Sequence, residues 1–391
     1  MTAQQANNSP NYYRLMAVDI DIKETWLNKK YKTAFKALLI DHTTHENIYW
    51  ATDSYEELGD GYRFFDPITV ESVTDDEKTG RKNGNVIRPR SVKSKEEQTK
   101  RVKDKAEVFT PSWVCNAQNN LVDEAWFGRP NVFNEEYIDE NGVHRWKPTE
   151  GKIEDFPEGK SWKDYVNEMR LEITCGEAPY LVSRYDTTTG DAISIVEADG
   201  SPDRRMVFNR IGLLDRKLRL ICENVDKPSS WLYYAELAFQ STYGFEWQGD
   251  NLLLARENLL LTLKDYYEAM FPNEQIKANT MKSFAYIISW NLWQMDGITF
   301  GLPGREVKEQ LPKEESENER PQPATLTLQF EDDEPAEVPE VHIEPYERYC
   351  RIKNWKYKTY ITKNKKKKPE LAEAEKNEDF KQIFALIANK K

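Results

Sequence analysis

Apolar and polar positions alternate along this chain in ways that predict a series of elements. Over 26–40, Leu27, Tyr31, Ala34, Phe35, Leu38 and Leu39 recur mostly at helical spacing, and Ile48-Tyr49-Trp50 reads as a strand. Together they make 11–66 a small α/β element. A polar, glycine-containing stretch over 76–92 predicts a loop. The proline of Phe109-Thr110-Pro111 suits a first helical turn, so a helix is expected over 112–126. Residues 129–160 carry glycine, proline and aromatics without a period and read as irregular. A short helix over 161–169 leads into a strand at 171–173, and the turn-rich 185–203 suggests a hairpin. Helices follow over 213–223 and 229–241, then a strand ending at Tyr243-Gly244-Phe245-Glu246. The helix predicted over 251–271 has a wide apolar stripe (Leu252, Leu253, Ala255, Leu259, Leu260, Leu263). Residues 281–293 are apolar, 349–360 look strand-like, and 371–389 form an amphipathic pattern at the end of the chain.

Charge changes this picture more than composition does. Net charge is −12 over 391 residues, but it is segregated. Between 78 and 105 the bases, among them Arg81, Lys82, Arg88, Arg90, Lys93 and Lys95, far outnumber the acids. Residues 351–368, with Lys356, Lys358, Lys365 and Lys366, contain no acid, whereas 305–344 is rich in proline and glutamate. A basic face on an acidic protein still suits phosphate, so both basic runs are candidate DNA contacts. The expected organisation is an N-terminal α/β region with a basic loop (1–101), a central domain (102–303), an acidic linker without regular structure (304–345) and a basic C-terminal segment with a terminal helix (346–391). No apolar run is long enough to span a membrane, and 1–10 lacks a signal-peptide pattern. Four cysteines, Cys115, Cys175, Cys222 and Cys350, are too scattered for a zinc site or a disulfide framework and suit a reducing cytoplasm. No metal site is expected.

The stretch with the most chemical content is Glu172-Ile173-Thr174-Cys175-Gly176-Glu177-Ala178-Pro179-Tyr180-Leu181, the end of an apolar strand followed by a tight turn of small residues. In a doubly wound α/β sheet such a turn lets the backbone approach a nucleoside. Four stretches in order then resemble the adenine-N6 DNA methyltransferases of restriction–modification systems. Phe109-Thr110-Pro111 is similar to the F-T-P motif that closes over S-adenosylmethionine. The 172–181 stretch resembles the D-P-x-C-G-S-G-x-F-L methionine-binding turn, with Glu172 at the acidic position, Cys175-Gly176 at C-G, Ala178 at the second glycine and Tyr180-Leu181 at F-L; Thr174 lies within it. Glu246 stands where the family's second motif ends a strand with an acid that holds the ribose hydroxyls. Asp296, in Met295-Asp296-Gly297-Ile298, stands where the third motif meets the adenine amino group.

The resemblance implies a Rossmann-like sheet with flanking helices and insertions, S-adenosylmethionine as cofactor, double-stranded DNA as substrate and a partner restriction or specificity subunit. A cationic sulfonium calls for carboxylates and aromatic faces, and a ribose diol suits a carboxylate acceptor. Departures from the pattern bear on activity. Ile173 replaces a proline and Ala178 a glycine. About sixty residues separate Tyr180 from Glu246, which requires an insertion. No Asn/Asp-Pro-Pro-Tyr/Phe tetrapeptide, which accepts and stacks on the flipped adenine in that family, follows Asp296. The catalytic residues are therefore not assigned, and a catalytically silent relative that binds DNA or a partner is the alternative.

Other constellations compete. Pro202-Asp203 with Asp215-Arg216-Lys217 fits the loose spacing of metal-dependent nucleases. Asn291 to Gln294 beside Asp296 offer an amide and an aromatic ring to a base or, more ordinarily, are core and capping residues. His42 and His45 share a helical spacing without a ligand cluster around them. Trp126, Trp146, Trp162, Trp231 and Trp247 are aromatic platforms for bases or, more ordinarily, core.

Overall fold

A computed structural model describes residues 24–105, 107–194, 196–198, 206–305, 350–355 and 359–361. The apolar stripe predicted near the N-terminus becomes α1 (Glu24–Leu39), which buries Leu27, Tyr31, Ala34, Phe35, Leu38 and Leu39 and breaks at Tyr31 (φ −132°, ψ 50°). Residues 48–50 are extended but are not a ladder strand. Tyr49 makes an isolated bridge to Pro67, and its backbone N–H and C=O pair with the Gln294 side-chain amide (3.1 and 2.8 Å). A capped turn of helix, α2 (Val70–Val73), precedes a two-residue pair, β1 (Asp75–Asp76) with β2 (Arg81–Lys82), inside the expected loop. Then come α3 (Lys95–Lys105) and α4 (Ser112–Phe127), the latter starting one residue after Pro111.

The stretch expected to be irregular holds an antiparallel hairpin, β3 (Asn134–Ile138) with β4 (His144–Pro148). Asn141-Gly142 supplies its turn, with Gly142 at φ 78°, a signal that the missing period obscured. After α5 (Trp162–Asn167) come β5 (Arg170–Ile173) and the short antiparallel β6 (Val196–Ala198) and β7 (Met206–Phe208). The hairpin expected over 185–203 is thus displaced: 185–192 closes through one bridge, Tyr185 to Ala192, and the ladder lies further on. The rest is α6 (Leu213–Asn224), α7 (Pro228–Gln240), β8 (Thr242–Glu246), α8 (Gly249–Met270), α9 (Ala278–Asn291), β9 (Leu292–Gln294) and a hairpin of β10 (Ile352–Asn354) and β11 (Thr359–Ile361). The expected linker beyond Arg305, the terminal helix and Lys356, Lys358, Lys365 and Lys366 lie outside the described residues.

The fold is mixed α/β, and its centre is a three-stranded parallel sheet in the order β5-β8-β9. Parallel neighbours need crossovers, and α6–α7 and α8–α9 are carried by those crossovers. Alternation along the strands separates two cores. Leu292 joins the large cluster with α1 and α6–α9, whereas Tyr243, Phe245, Trp293 and Met295 pack with Tyr49, Leu302, Cys350 and Ile352. Residues of α1 and of the central segment share that large cluster, so the core is continuous across residue 101. Among the described residues no helix is long and apolar enough to cross a membrane.

Candidate functional site

Parallel strands bring their C-terminal ends to one edge, and here that edge joins the two stretches singled out from the sequence. Arg170 to Ile173 run in register with Thr242 to Phe245, so the turn after β5 lies beside Glu246 at the end of β8. The Gly176 N–H donates to Glu246 Oε2 at 2.8 Å, and the Cys175 N–H to the Phe245 carbonyl at 2.8 Å. The turn is tightly wound. Thr174 (φ 52°), Gly176 (φ 53°) and Ala178 (φ 64°) are all left-handed. For the exposed, β-branched Thr174 this conformation is costly. Thr174→Gly is expected to raise stability by up to about 1 kcal/mol, the relief of left-handed strain less glycine's greater chain entropy. Urea denaturation checks this, and a loss of stability would refute it.

A cavity of about 510 Å³ opens against this turn. Glu172, Thr174, Cys175, Gly176 and Tyr180 line it from β5 and its turn, and Phe109 and Thr110 from the segment before α4. The Phe109 ring stands 3.7 Å from where a Cβ on Gly176 would sit, so ring and turn close on one another. Asp186 holds this segment by accepting from the Ser112 N–H at the start of α4 (2.7 Å), and Thr187 donates to the Thr110 carbonyl (3.1 Å). Glu246, Trp247, Gln248 and Asn251 complete the lining from β8 and the start of α8.

The lining is acidic and aromatic. Glu107, Glu172 and Glu246 contribute carboxyls, Phe64, Phe109, Tyr180 and Trp247 contribute rings, and no lysine or arginine is present. Glu172 accepts the N–H groups of Tyr180 and Leu181 (3.3 and 3.2 Å), yet burial, reinforced by nearby Glu246, holds it well above the usual carboxylate range. Burial pushes Glu246 up to about 7, against the hydrogen bonds from Gly176 and Gln248. Glu107 forms an ion pair with Arg101 at 2.9 Å.

Three residues expected at the cofactor do not line this cavity. Pro111 acts as the residue before α4, and Ala178 is fully buried in the turn, its N–H bonded to the Cys175 carbonyl. Asp296 spends its carboxylate on its own loop, accepting from the Ile298 N–H (2.8 Å) and the Thr299 hydroxyl (2.9 Å). That loop packs back on Tyr49, whose hydroxyl donates to the Pro303 carbonyl, rather than entering the cavity. Conversely, Ala51, Phe64, Glu107, Val108, Gln248 and Asn251 line the cavity without having been candidates, while Pro179 belongs to the turn stretch already singled out and Trp247 was read as a base platform or core. Of the former, Glu107, Val108 and Gln248 carried a signal, their adjacency to the motifs; Ala51 and Phe64 arrive from a distant segment.

The basic run is not a uniform surface. Lys82 and Lys95 are exposed, Arg81 is half-buried and donates to the Thr74 carbonyl (3.1 Å), and Arg88 pairs with Glu97 (3.0 Å). Arg90 places its guanidinium over the Phe109 ring at 5.1 Å. Lys93 is only 6 % exposed and is not available to a long duplex at the surface.

The competing constellations are structural where they are described. Asp203 lies outside the described residues. Asp215 is buried and accepts from the N–H groups of Ser183 and Gly212 (2.8 and 3.1 Å). Lys217 is buried and donates to the Glu168 carbonyl (2.5 Å) and the Ser241 hydroxyl (2.7 Å). Both side chains are fully buried. Asn291 donates to the carbonyls of Phe239, Gln240 and Thr242, closing the end of α7. His42 is stacked on Trp290 at 3.9 Å, and among the described residues no His, Cys, Asp and Glu cluster is suited to a metal. No protein-family model, curated protein or solved structure matches this chain.

Proposed function

We propose that the cavity at the ends of β5 and β8 binds S-adenosylmethionine, within a Rossmann-like sheet of the kind found in adenine-N6 DNA methyltransferases. The observation that carries this reading is the 2.8 Å bond between the Gly176 N–H and Glu246. It puts the small-residue turn and the acidic strand end around one space, where the carboxyl end of a parallel sheet receives nucleosides. The donor set fits the group. Glu246 suits the ribose diol, and a lining of carboxyls and aromatic rings without bases suits a cationic, partly apolar ligand. When bound, that cofactor supplies an electrophilic methyl group. The chain's part is to hold it and to exclude water with the Phe109 ring.

On this reading the exposed bases Lys82 and Lys95, with Arg81, Arg88 and Arg90, attract double-stranded DNA, and a partner subunit contributes target recognition. A second reading, a cofactor-binding subunit that does not transfer the methyl group, is favoured by one observation. The loop after β9 is folded on itself and contributes no amide or ring to the cavity for orienting an acceptor nitrogen.

Titration calorimetry with S-adenosylmethionine tests the common part. Saturable binding that also occurs with S-adenosylhomocysteine is expected, and absence of heat with both would sink the proposal. Labelled methyl transfer to duplex DNA then separates the two readings. Incorporation identifies an enzyme, and binding without incorporation identifies the silent subunit.

A further inference from the structure

A second cavity, of about 300 Å³, lies between the 53–57 turn, the 86–93 segment and α3. Its distinguishing feature is Lys93. The side chain is 4 % exposed, yet its ammonium has no hydrogen-bond acceptor among the described residues. Asp250, the carboxylate beside it, stands 3.7 Å away and takes its hydrogen bonds from the Tyr55 hydroxyl (2.8 Å) and Arg101 (2.5 Å). A buried ammonium with three unused donors is costly unless something accepts from it. Burial accordingly pulls Lys93 below the usual lysine range. It is nevertheless held in place, because the Gln98 side-chain amide donates to the carbonyls of Arg90 and Lys93 (3.0 and 2.9 Å) and clamps the segment onto α3.

The surrounding groups define the missing partner. Arg88, Lys100 and Arg101 share the lining, and the Arg88 Nε–H is also buried without an acceptor. Of the acids present, Glu97 is occupied by Arg88 (3.0 Å) and the Ser94 N–H (2.7 Å), while Asp53 and Glu57 add negative charge that a small, multiply hydrogen-bonded anion has to outweigh. Unused buried donors on two cationic side chains that line one cavity call for a compact polyoxyanion. We propose that this cavity is a phosphate subsite, in which Lys93 and Arg88 donate to the phosphate oxygens and the exposed Lys100 supplies charge, Arg101 being paired with Glu107 and Asp250. It is separate from the cofactor cavity and does not depend on that assignment. The phosphate belongs either to a free nucleotide or to the terminal or extruded backbone of a nucleic acid, since burial excludes an intact duplex from Lys93.

Calorimetric titration of the full chain with inorganic phosphate, a nucleoside monophosphate and a short 5′-phosphorylated DNA tests this. At least one probe is expected to bind, with affinity reduced about tenfold or more in Lys93→Met and about threefold in the exposed Lys100→Ala. Binding confined to the small probes identifies a nucleotide site, and binding confined to DNA a backbone site. Should Lys93→Met fail to fold, Lys100→Ala and Arg88→Gln carry the test. No binding of any probe, binding unchanged in the folded variants, or an equal loss in Lys152→Ala, an exposed lysine outside both cavities, would each overturn the proposal.

Discussion

Glu246→Gln is expected to weaken S-adenosylmethionine binding by about tenfold to a hundredfold while making the ligand-free protein more stable at pH 8. The first effect follows from exchanging a charged acceptor for a neutral one, a difference of about 1.5–3 kcal/mol for hydrogen bonds of this kind. The second follows from burial, which raises the Glu246 carboxyl from 4.5 to about 7. Between those values the native state holds a proton that the unfolded chain has released. Stability is therefore full below pH 4.5, falls as pH rises, and by pH 8 has lost about 3 kcal/mol from this group. Glutamine keeps an oxygen for the Gly176 N–H and does not ionise, so the variant escapes that loss. Glu172, Glu177 and Asp215 are raised by burial in the same direction and leave a residual slope. Asp250, held at about 2 chiefly by Arg101 and Lys93 against the effect of burial, loses its contribution only in strong acid. Urea titrations at pH 5 and pH 8 measure the difference, and equal pH slopes in wild type and variant would refute it. Cofactor affinity runs the opposite way, weakening by up to tenfold per pH unit below 7 as the diol's acceptor is protonated. An affinity independent of pH between 5.5 and 8 would remove Glu246 from the ligand's contacts.

Arg256→Ala is expected to destabilise the protein by about 4 kcal/mol or more, enough to abolish cooperative unfolding in a marginally stable domain. Arg256 is fully buried in α8, and its donors are spent on backbone carbonyls. They go to Leu292 (2.9 and 2.7 Å), Ser289 (3.2 Å), Ile40 (3.0 Å) and Leu38. These carbonyls belong to the ends of α1 and α9, where helix dipoles present partial negative charge. Burial lowers the guanidinium to about 10, and Asp41 opposes that fall, so the charge persists at neutral pH. Truncation leaves four acceptors dry and opens a cavity between α1, α8 and β9. Lysine rescues little, because one ammonium cannot span both helix ends. A variant within about 1 kcal/mol of wild type in urea denaturation would refute this account.

Local pattern was enough for the elements whose physics is local. The stripe from Leu27 to Leu39, the proline before α4 and the long apolar run of α8 all produced helices close to where periodicity put them. The apolar stretches ending at Ile173 and Glu246 became strands for the same reason, and the small-residue turn after the first and the terminal acid of the second both line the cavity. Local pattern failed for 129–160, where charged and aromatic residues alternate on a largely exposed hairpin and no buried face imposes a hydrophobic period.

Which segments prefer helix or strand, and where small residues and a terminal acid follow a strand, could be read from the chain alone, because propensity and amphipathic period act between near neighbours. Only the tertiary structure decided which of those stretches meet. Parallel pairing brought Gly176 to Glu246 across some seventy residues (2.8 Å apart). Packing turned Asp296 into its own loop, made Asp215 and Lys217 structural, and drew Ala51 and Phe64 to the cavity. It also buried Lys93 without an acceptor, although its neighbours in the chain look like an ordinary solvated basic run. Burial and partnership are set by segments remote in sequence, and a residue's charge and spacing carry no record of them.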